Sequence, residues 1–453
     1  MDRSRRVWVS AAWATTRPNF AWSRRLREVL ISEERKRRVV EESDQRSWTC
    51  QTPPMMNLGE VEKVVIVGGA GHVGLPLGLV LADNGYEVTA LDRDEAAVRA
   101  LNDGRMPFME VGANELLVRM IESGRLVAST DNSSVSDADV VVVVVGTPVD
   151  EHLNPDPNAV LDLFKGLSEF FHPGQLVILR STVFPGVTRK VEDWFASTHP
   201  GVSVSFCPER IAEGSALEEI MTLPQLVGAR SADISQRAEA FFGAVGIKTI
   251  RVDPEEAELA KLFTNSWRYI RFAAANQFWM MANDFGVDFE RVRTAMSAGY
   301  PRAADVPSAG FSAGPCLFKD TMQLSAMVGY KFSLGDAAVA VNEGAPLYLV
   351  ERLERRFDLS SSTIGILGMA FKADIDDNRS SLSYKLRKLL VFKAAQVLCA
   401  DPYVVDERLV SQEHLLKESD VVIVATPHSV YRTLSFSQPV VDIWNLYGDG
   451  VLI

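Results

Sequence analysis

Cysteine and histidine are scarce in this chain, and their spacing excludes as much as their number. The 453 residues hold four cysteines, Cys50, Cys207, Cys316 and Cys399, with no CxxC pair among them. That pattern suggests neither a zinc ligand set nor a dense disulfide scaffold, and it fits a reducing cytoplasm. Six histidines are scattered with none in HExxH spacing, so no catalytic metal is expected. Long apolar runs are lacking as well. The longest strongly apolar run is Val140 to Val145, far below the roughly 20 residues of a membrane helix. Nor is there an excess of basic charge: the net charge of -12 argues against general nucleic-acid binding. Anionic ligands stay open, because backbone amides at helix N-termini hold phosphates even in an acidic protein.

What is present suits a soluble globular protein, with 47% hydrophobic and 23% charged residues and a length of about three domains. Residues 1–57 read differently. They are rich in Arg and Trp without periodicity, and Val7 to Ala14 is too short and mixed for an export signal. The pairs Glu33-Glu34 and Glu41-Glu42 argue against a transit peptide, and Met55-Met56 stands just before the first strand. This stretch is expected to be a poorly ordered, dispensable extension left by a start placed too far upstream.

Lys63-Val-Val-Ile-Val67 is an apolar run of strand length, followed by a glycine-rich turn, a helix-like stretch from Leu75 to Ala82, and a second strand ending at Asp92. This βαβ unit implies a parallel sheet. Further strands are predicted at Ala138 to Val145, Gln175 to Arg180 and Val202 to Phe206. Glu255 to Asp284 has no Gly or Pro and reads as one long helix. Helical pattern continues to about Arg355, broken by the loop Tyr300 to Pro315. Strand-like runs return at Thr363 to Gly368, Gln396 to Ala400, Val421 to Ala425 and Val440 to Ile443. The expected fold is α/β, with two Rossmann-like, doubly wound parallel-sheet domains (58–250 and 356–453) joined by a central helical domain (251–355).

Gly69-x-Gly71-x-x-Gly74 lies between predicted strand and helix. The first glycine permits the tight turn, the second lets a pyrophosphate approach, and the third allows close helix–strand packing. Asp92 can accept hydrogen bonds from an adenosine ribose and would repel a 2′-phosphate. NAD is therefore the expected cofactor, held by Gly69, Gly71, His72, Val73, Gly74 and Asp92. Four later segments carry reactive groups: Arg180-Ser-Thr182, Cys207-Pro-Glu209 to Glu213, Glu258 to Asn265, and Gly314-Pro-Cys316 to Asp320. Lys261 and Asn265 are four apart and share one helix face, although Lys261 could simply pair with Glu258. Cys316 is expected near a helix N-terminus, where the dipole favours thiolate.

In this order the segments resemble the UDP-glucose/GDP-mannose dehydrogenase family from about Val61 onwards. Gly104-Arg-Met-Pro-Phe-Met-Glu110, Gly146-Thr147-Pro148, Ser181 to Gly186, the Cys316 loop and Gly368-Met-Ala-Phe-Lys-Ala-Asp374 with Asp376-Asp-Asn-Arg379 carry the match. The chain departs from the family where Gln225 replaces a common Arg and where its cysteine loop has fewer glycines. The resemblance implies NAD-dependent, four-electron oxidation of a nucleotide-sugar C6 alcohol to a carboxylate, with Cys316 as the covalent catalyst. It implies Lys261 and Asn265 at the C6 oxygen, and Asp320, Thr182, Glu209 and Glu213 around the water and protons. Thr147 and Thr182 would help hold the cofactor; Lys372 and Arg379 would contact the UDP-sugar, although Arg379 could instead bridge to Asp376 or Asp377. It further implies a homodimer through the helical middle, with Arg302 reaching the partner's site. Arg268, three residues after Asn265, leans towards a UDP-N-acetylhexosamine, with UDP-glucose and GDP-mannose enzymes and a non-catalytic nucleotide-binding regulator as the alternatives.

Overall fold

The computed structural model describes residues 62–147, 156, 158–329 and 331–453, so the expectations for residues 1–57 and for Pro148 lie outside the described residues. Eight strands form the first sheet: β1 (Lys63–Val67), β2 (Glu87–Leu91), β3 (Leu126–Ser129), β4 (Val140–Val143), β5 (Leu176–Leu179), β6 (Ser203–Phe206), β7 (Gln225–Gly228) and β8 (Thr249–Val252). Their order is β3-β2-β1-β4-β5-β6-β7-β8, and only the β6–β7 pair is antiparallel. Val64 and Ile66 of β1 enter the core on one face while Val65 and Val67 enter the other. Both faces are covered, which is why these strands read as unbroken apolar runs.

β3, β7 and β8 are not evident in the sequence pattern. Each is four residues long, and β3 and β8 carry exposed or half-buried positions that break the apolar run.

A helix spanning Pro254–Asp284 leaves this unit. Its start is fixed by proline in the first turn and by a capping box between Asp253 and Glu256, which satisfies free backbone donors at that end. The helices Pro315–Met327 and Ser333–Arg356 pack along it. A second sheet then forms from β9 (Thr363–Leu367), β10 (Gln396–Ala400), β11 (Val421–Val424) and β12 (Val440–Asp442), all parallel, in the order β10-β9-β11-β12. Trp279 and Leu349 of the long helices share one core with Phe311 and with Ile364, Ile366 and Ile423 of this sheet. The indole of Trp279 also donates to the Val451 carbonyl at 2.9 Å. The loop before Cys316 is therefore seated on the second α/β unit.

Candidate active site

The glycine turn after β1 is cramped at two of its three motif positions. A Cβ on Gly69 would lie 2.6 Å from Ala90 Cα, and one on Gly74 would lie 2.4 Å from the Gly68 carbonyl, whereas at Gly71 the nearest atom is 3.5 Å away. The position of Gly71 is thus the least crowded of the three. The helix Gly74–Asp83 that follows has no side-chain cap at its N-terminus, leaving amide donors for an anion. Asp92 accepts from the Ala70 amide at 3.1 Å and the Asp94 amide at 3.1 Å, so its carboxylate stands at the rim of the same turn. Turn, helix end and carboxylate fit a dinucleotide. Thr147 donates to the Thr182 carbonyl at 2.6 Å and receives a bond from Lys319 Nζ at 3.4 Å. One threonine hydroxyl therefore joins the β4 loop, the β5 turn and the cysteine helix.

Cys316 is the second residue of the helix Pro315–Met327. Asp320, one turn on and 1% exposed, accepts from Asn265 Nδ2 at 2.6 Å. Its other oxygen is buried without a hydrogen-bond partner, with Lys319 Nζ 3.6 Å away. Lys261 and Asn265 are buried on the same face of the Pro254–Asp284 helix. Burial pulls the Lys261 ammonium pKa down, while the nearby charges of Asp320 and Cys316 pull it up. Cys316 is exposed, yet desolvation of its thiol raises its pKa, as does Asp320, against the opposing pull of Lys261 and Lys319. This differs from the expectation of a thiolate favoured by the helix start alone: desolvation and a neighbouring carboxylate outweigh the nearby cations.

Glu258 is not the partner of Lys261. It is fully buried and accepts from the Gly186 and Thr188 amides at 2.7 and 2.8 Å, pinning the Ser181–Gly186 turn to the long helix. An acid on the same helical face as Lys261 and Asn265 was the available signal for this role.

Glu213, His72 and Asp377 converge where the C-terminal loop meets the first unit; one ligand-type atom from each lies within 4.8 Å of the others. Arg379 grips Asp377 at 2.5 Å and reaches Glu213 at 3.3 Å, so the ion pair that was the alternative for Arg379 is present. Lys372 Nζ donates to the Glu213 carbonyl at 2.9 Å. Burial first, and then Asp377, push the Glu213 carboxyl up to about 7. Burial would raise Asp377, but Arg379 outweighs it and holds that carboxyl low. Burial and the Arg379 charge both lower the His72 pKa. A cation could sit among these three side chains, although Arg379 already supplies positive charge there.

Glu209 takes a different direction from its sequence neighbour. Its carboxylate pairs inward with the buried Arg180 and accepts from the Arg210 and Ile211 amides. Gln225, at the position where the family often has Arg, accepts from Arg180 at 2.7 Å and donates to the Pro208 carbonyl at 3.0 Å. The expectation that Glu209 lines the cleft beside Glu213 thus meets a buried charge cluster instead. Arg268 is exposed on the long helix with no ion-pair partner among the described residues, near enough to act on the charge of Lys261. Arg302 lies over the Tyr300 ring, 5.9 Å from its centroid.

A dinucleotide cradle facing a cysteine, a lysine and buried carboxylates defines an NAD-dependent oxidoreductase. Three profiles of one family match the chain: its NAD binding domain over residues 62–246, its central domain over 255–344 and its UDP binding domain over 365–449. The chain belongs to the UDP-glucose/GDP-mannose dehydrogenase family, and it is an NAD-dependent UDP-sugar dehydrogenase. A UDP-N-acetyl-D-mannosamine dehydrogenase of Methanococcus aeolicus is 27% identical over 384 residues, 82% of this chain and 86% of the other. A UDP-glucose 6-dehydrogenase of Haloferax volcanii is 29% identical over 394 residues, 81% and 91% of the two chains. Among solved structures, a UDP-glucose dehydrogenase of Pyrobaculum islandicum superposes with a TM-score of 0.79 at 29% identity, covering 86% of this chain and 96% of that one. No helix among the described residues is long and apolar enough to cross a membrane.

Proposed function

We propose that this enzyme oxidises the C6 alcohol of a UDP-N-acetylhexosamine, the manno or gluco epimer, to the uronate through a covalent Cys316 adduct. One observation carries the chemistry: the exposed Cys316 stands at a helix start near Asp320, which Asn265 bonds, and near the buried Lys261. The glycine turn and Asp92 would hold NAD, and two NAD in succession would each accept one hydride, the first at the alcohol stage and the second at the thiol-adduct stage. Cys316 Sγ adds to the aldehyde carbon and keeps it from escaping. Its proton passes to a neighbouring base, and Lys261 and Asn265 stabilise the oxygen charge. Once the adduct is at the thioester level, water splits the C–S bond, restoring the thiol and releasing the acid. Asp320 orients that water with its unpartnered oxygen, Thr182 lines the site, and Glu213 handles protons near neutral pH. Glu209 shapes the Glu213 loop from beneath. Lys372 and Arg379 approach the sugar nucleotide from the second unit.

Phe263, Trp267, Phe278, Met281 and Phe285 are exposed along the long helix at spacings that keep them on one side. We assign this stripe to a homodimer interface; Trp267→Glu should yield monomers in sedimentation, and an unchanged dimer would remove the assignment.

The exposed Arg268 supports the N-acetyl sugar, since it can donate to an acetamido carbonyl where glucose offers only a hydroxyl. UDP-glucose is the second reading, favoured by the Haloferax and Pyrobaculum relatives. A comparison of kcat/KM for UDP-GlcNAc, UDP-ManNAc, UDP-glucose and GDP-mannose decides it. An N-acetyl sugar should lead by about tenfold or more; a lead for UDP-glucose would overturn the sugar and leave the reaction class standing.

A further inference from the structure

The stretch Gly104 to Glu110 matches the family, yet the chemistry above gives it no role. Its last three residues each grip a different part of the site. The Phe108 ring stacks on His72, between motif glycines Gly71 and Gly74, with centroids 4.0 Å apart and planes at 20°. The Met109 amide donates to Asp376 at 3.2 Å, on the C-terminal loop next to Asp377. Glu110, 7% exposed, accepts from the amides of Gly214 at 3.0 Å, Ala216 at 2.7 Å and Leu217 at 3.4 Å. Gly214 directly follows Glu213. Its φ is +83°, and a Cβ there would come within 2.9 Å of Ile375, so this loop is confined from both sides. A buried carboxylate is tolerated only while its donors stay in place. The position of the Gly214–Leu217 backbone and the charge on Glu110 therefore depend on each other.

We propose that Phe108, Met109 and Glu110 form a positioning strip: Glu110 fixes the Glu213 loop beside Cys316, and its two neighbours tie that placement to the cofactor turn and the C-terminal loop. The proposal rests on the reading of Glu213 as the proton-handling group. Glu110 touches backbone amides only and acts through Glu213, so it is a positioning residue. A misplaced catalytic group costs up to about a hundredfold for a shift of about 1 Å, and binding of the cofactor should change far less, because Glu110 itself bonds only the Gly214–Leu217 amides and none of the glycine turn.

The test uses the full-length enzyme with NAD and whichever UDP-sugar it turns over fastest, comparing Glu110→Gln, Glu110→Ala, Glu213→Gln and the combined Glu110→Ala/Glu213→Gln. Glu110→Ala should lower kcat about tenfold or more with less than about a threefold change in the KM for NAD. Glu110→Gln, which keeps an acceptor oxygen, should recover part of that loss. The combined variant should be no slower than Glu213→Gln alone, because both changes remove one function. The rise of kcat near pH 7 should move to lower pH in Glu110→Ala as Glu213 shifts towards water. The other groups facing Glu213 are Lys372, Asp377 and Arg379 on the C-terminal loop, His72 on the glycine turn and Cys316 on its helix, and all stay unchanged. Glu110→Gln removes the same charge, so a pH shift common to both variants is electrostatic and counts against the strip, whereas one confined to Ala supports it. Should Glu110→Ala fail to fold, Glu110→Gln with Glu213→Gln completes the same cycle. Multiplicative losses in the combined variant, or an unchanged kcat in Glu110→Ala, would overturn the strip while leaving Glu213 in its role. A Glu213→Gln enzyme at wild-type kcat would instead remove the reading of Glu213 itself.

Discussion

The two α/β units open with the same backbone device and fill it differently. After β1, the Gly68 amide donates to the Leu91 carbonyl at 2.9 Å; after β9, the Gly368 amide donates to the Ala400 carbonyl at 2.9 Å. Both glycines have positive φ, +83° and +91°. In each unit a carboxylate just past the second strand takes the turn's amides: Asp92 takes Ala70, and Asp401 takes Met369 at 2.6 Å and Ala370 at 3.0 Å. There the likeness ends. Where the first turn continues with the uncrowded Gly71, the second continues with Phe371, whose ring presses on Gly314 so closely that a Cβ there would lie 2.7 Å away. Asp401 is also saturated, by the Tyr403 and Val404 amides and by buried His428. His428 Nδ1 accepts from the Asp374 amide, which assigns its ring proton to Nε2 and makes it the donor to Asp401. The same scaffold is thus open to a dinucleotide in one unit. In the other it is closed by its own side chains and carries the cysteine loop.

If one side chain makes that difference, moving it should move the property. Gly71→Phe places in the first turn the ring that closes the second. Gly71 lies outside the positive-φ region, and a Cβ there would make only an ordinary contact, 3.5 Å from the Gly68 carbonyl, so the fold should survive. NAD affinity should fall by roughly a hundredfold or more, because the motif's second glycine is where the pyrophosphate approaches. Near wild-type NAD binding in calorimetric titration would show that the side chain at this position does not decide whether the turn takes a dinucleotide.

The closed unit should respond in stability instead. Asp401→Asn strips the charge from an acceptor with five donors and should cost about 2–3 kcal/mol in chemical denaturation. Acid should show the same thing in the unaltered chain. Burial opposes the Asp401 charge, but the His428 bond and the backbone amides outweigh it and hold the carboxyl at about 2, below its ordinary 3.8. A depressed carboxyl stabilises the fold above its unfolded pKa and loses that contribution as pH falls through the folded value. About 2 kcal/mol should therefore disappear between about pH 4 and pH 2, and Asp401→Asn should flatten this part of the stability–pH curve. A variant with the wild-type acid profile would show that another group is responsible.

Asp92→Asn should have the smallest effect: little change in stability, weaker NAD, and a preference over NADP relaxed by about tenfold. An unchanged NAD/NADP ratio would mean that another residue reads the ribose.

The open turn was legible in the sequence because its chemistry is local: three glycines, a strand before, a helix after and Asp92 at the next strand end. The long helix and the Cys316–Asp320 turn were legible for the same reason. The closure of the second turn was not, since nothing near Asp401 in sequence announces that His428 will bond it, or that Phe371 will press on Gly314. The partners of Glu209 were hidden in a similar way. Its partner Arg180 stands at the end of another strand, although a charged residue closing so apolar a run needs a buried counterpart. The threonine link from Thr147 to Thr182 and Lys319, and the grip of Glu110 on Gly214, are likewise contacts between segments that only folding brings together.

The claim on which the rest depends is that Cys316 holds the intermediate between the two oxidations. The most direct measurement is product and NADH stoichiometry in Cys316→Ser against the wild type, with NAD binding measured alongside. Serine keeps the shape and is a far weaker nucleophile at neutral pH. The wild type should form two NADH and one uronate per sugar, while Cys316→Ser should bind NAD normally and form no uronate, stopping at one NADH or fewer. Uronate released by Cys316→Ser at near wild-type rate would contradict covalent catalysis by this residue.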